Sequence, residues 1–176
     1  MVRAVETNLQ EVFEGSKQYQ VPLYQRRYSW TSDQLQRLWD DIRSLAESRR
    51  LGSGDTHFIG SLVLAPGANV GPVGISEYLV VDGQQRLTSL SVLLCALRDH
   101  RAETEDPVHT ERLNEQYLIN KWKPDALRLK FKPTQADLAA YLAVLDSTAV
   151  ADGSDGIGAA YRFFRQQLAQ FDDPDD

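Results

Sequence analysis

At 176 residues the chain has the length of one globular domain with room for a helical extension, and a 42% hydrophobic content supplies a core and excludes a disordered chain. A formal charge of −6, weighted by the tail residues Asp172, Asp173, Asp175 and Asp176, excludes a protein that coats nucleic acid by net charge, while leaving room for a local basic face. The lone Cys95 excludes an internal disulfide, and no apolar leader or run of ~20 residues is present, so the expectation is a soluble, cytoplasmic protein with no membrane partner.

In chain order, residues 8–14 read as a short opening helix that stops at Gly15. Residues 19–21 read as a short strand ended by Pro22, which cannot continue a ladder. Residues 23–29 are irregular and crowded with polar and aromatic side chains. A second helix begins at Thr31, with Gln34 completing a capping box and Trp30 placed to staple onto Leu35. Leu35, Leu38, Trp39, Ile42 and Leu45 recur on one face of it.

Residues 52–55 form a loop, and residues 57–64 (HFIGSLVL) read as a buried strand. A Gly- and Pro-rich hairpin over 65–74 leads to a second strand, 77–81, antiparallel to the first. Residues 84–97 are helical, with Leu87, Leu90, Leu94 and Leu97 on one face. Further along, 111–120 reads as a helix, 127–131 alternates like a strand, and Thr134 caps a helix running to about Leu145. A Gly-rich linker over 152–158 precedes a last amphipathic helix, 159–171. The predicted class is α+β, a small mixed sheet with packed helices and a helical C-terminal extension, divided as a core of residues 1–100 and an extension of 101–176.

The chemistry concentrates at Asp82-Gly83-Gln84-Gln85-Arg86, where a strand turns into a helix. A helix N-terminus offers unpaired N–H groups and partial positive charge to an anion. Gly83 lets a ligand approach the backbone. Arg86, a cation in the first turn, runs against the helix dipole unless a phosphate lies between. Gln84 and Gln85 can orient a water or read a ribose or base edge, and Asp82 can hold Mg²⁺ or polarise an attacking water. The same residues also make an ordinary helix start, with Asp82 and Gln85 as a capping box, and spacing alone does not choose between the two.

A second cluster, residues 21–30 (VPLYQRRYSW), interleaves paired arginines with aromatics in a loop entering a helix, which suits phosphate contacts and stacking. Lys121, Lys123, Arg128, Lys130 and Lys132 form a basic island that either tracks a nucleic-acid backbone or is a solvated strand face. His57, His100 and His109 have no ligand spacing. Ser61 and Ser89 lack a nucleophile-elbow context. Cys95, inside an apolar run, reads as a small buried hydrophobe rather than a nucleophile.

The segments VPLYQRRYSW, HFIGSLVL and VVDGQQRLTSL, in this order and at these intervals, closely resemble the GmrSD-type restriction-endonuclease N-terminal domain, related to the ParB and sulfiredoxin nucleotide-binding fold. LRLKFKPTQADLAAYL and IGAAYRFFRQQL resemble its later helical part more weakly. The resemblance implies NTP binding and hydrolysis, with GTP or ATP as substrate and Mg²⁺ as cofactor. It places Asp82, Gln84, Gln85 and Arg86 in catalysis, and Gly83, Arg86, Thr88 and Arg26 in nucleotide binding. It further implies defence against foreign or modified DNA, relatives serving in phosphorothioate-dependent phage defence, which makes Pro22, Tyr24, Gln25 and Arg27 candidates for sensing DNA.

Family members usually continue into an HNH-type nuclease module, which residues 101–176 do not resemble. DNA cleavage is therefore expected only from a separate nuclease module or partner subunit. The alternative to an NTPase is a non-catalytic module that senses DNA or nucleotide. A free-standing nuclease is disfavoured by the lack of a carboxylate or histidine cluster.

Overall fold

The computed structural model describes residues 5–69, 74–103, 107–148 and 156–171. A four-stranded mixed sheet, β1 (Lys17–Gln20), β2 (Val63–Pro66), β3 (Ser76–Asp82) and β4 (Phe131–Lys132), has the order β2-β3-β1-β4. β1 runs parallel to both β3 and β4, with Tyr19 opposite Tyr78 on one side and Phe131 on the other. β2 is antiparallel to β3, as expected of a hairpin. Residues 70–73 of the expected connection lie outside the described residues.

Parallel neighbours need a crossover, and α2 (Ser32–Arg50) lies in the connection from β1 to β3. Its start is the one the sequence announces: Gln34 Oε1 accepts the Thr31 backbone N–H at 2.7 Å. Leu35, Leu38 and Trp39 are buried, while Ile42 and Leu45 lie half-buried along the same face. The opening helix α1 (Leu9–Phe13) is capped by Asn8, whose side chain accepts from Glu11 N, and it buries Phe13.

At the centre is α3 (Gln84–Arg101). Here the expected single apolar face is too narrow a description. Leu87, Leu90, Val92, Leu93, Leu94, Cys95 and Ala96 are all buried, with Thr88, Ser89 and Ser91 among them. The helix is covered on several sides because α6 (Gly156–Phe171), α5 (Gln135–Leu145) and α4 (Pro107–Leu113) all pack on it, and a helix buried all round needs no polar stripe. Arg98 fastens this centre, its guanidinium donating to Leu145 O at 2.7 Å and Ser147 Oγ at 2.8 Å. α5 starts after Thr134 as expected. α6 buries Ile157, Ala160, Phe164 and Leu168 at helical spacing. The anticipated linker is already helical from Gly156, and residues 149–155 lie outside the described residues.

Three predicted elements take another form. Residues 57–62 are not a buried strand: they are irregular, Phe58 is 82% exposed, and only Val63 onward pairs, on an exposed edge. Gly60, at φ +103°, is incompatible with an extended run there. The helix expected over 111–120 begins earlier, at Pro107, and ends in one π-helical turn, Asn114–Leu118, closed by Ile119 N–H donating to Asn114 O at 3.0 Å.

The strand expected over 127–131 is reduced to β4, after a 3₁₀ turn at Asp125–Arg128. Within that stretch the Lys130 ammonium is buried and donates to the carbonyls of Phe13, Gly15 and Gln116 at 2.8, 2.9 and 2.8 Å. Burial pushes its pKa down to about 8. Lys130 therefore leaves the basic island, while Lys121 pairs with Glu111 and Glu115, and Arg128 with Asp146. Three of the five residues of the island are thus engaged within the protein.

Candidate functional site

In open sheets of parallel strands, ligands favour the carboxyl ends, where loops diverge. Here β1 and β3 end side by side. The chain after β1 supplies residues 22–30, and the chain after β3 turns at Gly83 into α3. Between them lies a cleft of about 240 Å³ walled by Gln25, Arg26 and Trp30 on one side and Asp82 to Arg86 on the other. The two sequence motifs thus form one site, although 56 or more positions separate their contacting residues.

The helix start is not the Asp82 capping box that the residues also allow. Gly83 is the N-cap, at φ +92° in the left-handed region, and no side chain among the described residues caps the α3 N-terminus. A Cβ at Gly83 would stand 3.0 Å from Leu62 Cδ1 and 3.2 Å from Ser61 O, so both conformation and packing call for glycine. Asp82 is exposed at the lip of the cleft. The first turn of α3 holds no acidic side chain, which leaves its partial positive charge to whatever enters the cleft.

Arg86 reaches back across this turn. Its Nη1 donates to Ser61 O at 2.7 Å, and its guanidinium lies flat over Gly60, where a Cβ would come within 2.6 Å of Cζ. Its hydrogen-bond partner is a neutral carbonyl, and no described carboxylate pairs with it. A half-buried guanidinium with no carboxylate partner among the described residues, beside a bare helix N-terminus, has the charge and the donors that suit an anion.

The two glutamines spend their side chains on the protein itself. Gln84 Nε2 donates to Arg26 O at 2.6 Å, and Gln85 Nε2 to Arg27 O at 3.1 Å. Gln85 Oε1 also accepts the Ser29 N–H at 2.9 Å. In return Gln25 Nε2 donates to Val81 O at 2.9 Å, tying the loop to the end of β3. The glutamine pair is thus a clamp on the backbone of residues 26–29. Gln84 Oε1 is buried with no partner.

The remaining candidates separate. Arg26 walls the cleft, but Arg27 leans outward, 62% exposed, with Nε 3.9 Å from Asp137 Oδ1. Tyr24 is 75% exposed, whereas Pro22 is buried. Thr88 is turned away from the cleft, buried in α3 with its hydroxyl donating to Gln84 O at 2.8 Å. Two residues that hold the loop from behind, without lining the cleft, were not among the candidate site residues of the sequence. Tyr28 is buried, its hydroxyl 2.6 Å from Ser89 Oγ, and its pKa is pushed up to about 12, chiefly by burial. Asp137, on α5, accepts the Tyr28 N–H at 2.7 Å. Tyr28 belongs to the arginine–aromatic cluster read from the sequence, but its contacts with Ser89 and Asp137 are remote in the chain, and Asp137 carries no local signal.

Among the described residues, no group of three or more His, Cys, Asp or Glu could hold a metal by itself. A phosphate-bound Mg²⁺ asks less of the protein, commonly one or two carboxylates, and Asp82 fits that part as the carboxylate of the cleft. His57 lies elsewhere, with Nε2 3.2 Å from Asp41 Oδ2. Cys95 is fully buried and its thiol is pushed up to about 12 by burial, which leaves no nucleophile there.

No described helix is long and apolar enough to cross a membrane. A search of curated proteins gives no match. Residues 9–175, nearly the whole chain, match the family described as "GmrSD restriction endonuclease, N-terminal domain". Both halves of the site, the loop after β1 and the turn after β3, fall within that match, and the chain belongs to this family of restriction-endonuclease N-terminal domains.

Proposed function

We propose that this domain binds and hydrolyses a nucleoside triphosphate in the cleft between residues 25–30 and 82–86, and that turnover is coupled to recognition of foreign or modified DNA in a restriction or phage-defence system. The observation that carries the reading is the uncapped N-terminus of α3 with the unneutralised Arg86 guanidinium beside it. Family membership supports the restriction role.

In this account the α3 N–H groups and Arg86 hold the phosphates, and Arg26 closes over them from the opposite wall. Asp82 would hold a phosphate-bound Mg²⁺, which supplies neutralisation of charge on the phosphoryl oxygens. Asp82 also stands where it can orient an attacking water. Gln84 and Gln85 serve as positioning residues for the Arg26 wall, since their amide N–H groups already bind the loop backbone. Tyr24, Gln25 and Arg27 lie on the same short loop as Arg26, so DNA engaging them would move the wall of the nucleotide site directly. Pro22 shapes that loop from below, its carbonyl accepting the Gln25 N–H at 3.1 Å. A phosphorothioate is one modification this loop would sense. Cleavage of DNA falls to a separate nuclease module.

Phosphate release from ATP, GTP and CTP with Mg²⁺, with and without DNA, tests the reading. Wild-type turnover that is lost in Arg86→Ala supports it, and absence of turnover with every nucleotide contradicts the hydrolytic part. A second reading, binding without turnover, is favoured by one observation: both motif glutamines are engaged with the loop, which leaves Asp82 alone among the motif side chains to orient an attacking water. Nucleotide binding without phosphate release would select it.

A further inference from the structure

Residues 26–29 are held from two directions. From α3, Gln84 and Gln85 take the carbonyls of Arg26 and Arg27 and the N–H of Ser29. From the helical half of the chain, Asp137 takes the N–H between them, that of Tyr28. Asp137 is only 5% exposed. Its Oδ2 also accepts from Thr134 Oγ1 at 2.6 Å, and Asp137 N–H donates to Thr134 O at 3.0 Å. The carboxylate sits in the first turn of α5, where the helix dipole favours it.

The other helices close on the same residue. The Tyr28 hydroxyl meets Ser89 of α3. At the start of α6, a Cβ on Gly156 would lie 3.0 Å from Tyr28 Cδ1 and 3.2 Å from Tyr28 O. A buried carboxylate committed to one loop amide, with an arginine of the same loop 3.9 Å from its other oxygen, does more than cap its own helix.

We infer that Asp137 is a positioning residue for the cleft: by fixing Tyr28 N–H it keeps Arg26 on the wall, and so makes the helical half of the chain part of the ligand site. The inference rests on the proposed anion-binding role of the cleft. It gives that site an input from α5, since a displacement of α5 relative to α3 would reach Arg26 through the Asp137–Tyr28 hydrogen bond and two residues of backbone.

The test measures binding of Mg²⁺-ATP and of inorganic tripolyphosphate by calorimetry, for wild type, Asp137→Ala, Asp137→Asn and Val144→Ala. Val144→Ala is a cavity variant on the same helix, at a fully buried residue; it controls for lost stability. Hydrogen exchange at the Tyr28 and Ser29 amides is followed in parallel. Asp137→Ala should weaken both ligands tenfold or more and speed exchange at these two amides. Asp137→Asn, which keeps an acceptor for the Tyr28 N–H, should restore most of the affinity, and Val144→Ala should lower thermal stability without changing affinity. Unchanged affinity in Asp137→Ala, or equal weakening in Val144→Ala, overturns the inference while the site stands. No binding of either ligand by wild type overturns the site and the inference together.

Discussion

The seat of Arg86 can be probed without touching any group proposed to meet the ligand. In Gly60→Ala the new Cβ would stand 2.6 Å from Arg86 Cζ and 2.7 and 2.8 Å from its two terminal nitrogens. All three distances are inside contact, but the obstructed atoms are the far end of a flexible side chain, so the guanidinium can swing away and the backbone can stay. The cost to folding has two parts. Holding alanine at φ +103° costs about 1–3 kcal/mol. Loss of the Arg86 bond to Ser61 O, which a buried charged partner would make worth about 1.5–3 kcal/mol, costs roughly 1 kcal/mol for this half-exposed guanidinium. A sum of roughly 2–4 kcal/mol leaves a protein of ordinary stability folded, with a Tm lower by about 5–15 °C.

The effect on anion binding should be larger in proportion. Removing one charge-assisted contact to phosphate, worth about 1.5–3 kcal/mol, weakens binding roughly 10- to 100-fold. Calorimetry with Mg²⁺-ATP on Gly60→Ala, Arg86→Ala and the double variant gives the assay. The two losses should fail to add, because both remove the same guanidinium from the same place. Affinity in Gly60→Ala equal to wild type, or full additivity in the double variant, would refute the account of Arg86.

A chain ended at residue 100 lacks β4, α5 and α6 and uncovers α3, so it should show no cooperative thermal transition; a cooperative melt would contradict the packing described. Lys130→Met deprives three carbonyls of their donor and should cost roughly 2–4 kcal/mol in urea denaturation; a change within about 0.5 kcal/mol would show the ammonium to be dispensable. The pH dependence carries a definite sign. Folded Cys95 keeps its proton to about 12 against an ordinary 9.0, and Tyr28 to about 12 against 10.0, so the unfolded chain binds fewer protons from pH 9 upward. Stability from these groups is fully present below pH 9 and falls as pH rises towards 12. Lys130, pushed down to about 8 from 10.5, acts in the opposite sense over that lower window. The measurement is therefore the difference in Tm between wild type and Cys95→Ala from pH 8 to 11, which should shrink as pH rises; a constant difference would contradict the buried thiol.

The parts of the fold written in local signals were legible in the sequence. Thr31 with Gln34, the Asp-Gly turn before Gln84, and the spacing of Leu35, Leu38 and Trp39 depend on neighbours within a few residues. What was misread depends on distant partners. HFIGSLVL has strand-like composition, yet Gly60 takes a left-handed conformation to seat Arg86, and no property of residues 57–64 announces that guest. Lys130 reads as a surface charge until Phe13, Gly15 and Gln116 converge on its ammonium.

The site was legible as two motifs and illegible as one object. From the sequence Gln84 and Gln85 point to a ligand, because the loop carbonyls they bind lie 58 positions away in the chain. The bare α3 N-terminus was visible only in part, since Asp82 is as good a cap by residue type as Gly83 is by conformation. Asp137 was invisible for the same reason as Lys130: a carboxylate in the first turn of a helix is ordinary until its burial and the Tyr28 amide are seen.

The central claim, an anion site for a nucleotide at the start of α3, is tested most directly by equilibrium binding of slowly hydrolysed β,γ-imido analogues of ATP and GTP with Mg²⁺ to the intact domain and to Arg86→Ala. The account predicts saturable binding of at least one analogue at a single site, weakened roughly tenfold or more in the variant. Absence of binding at millimolar ligand, or the same affinity in Arg86→Ala, would contradict it.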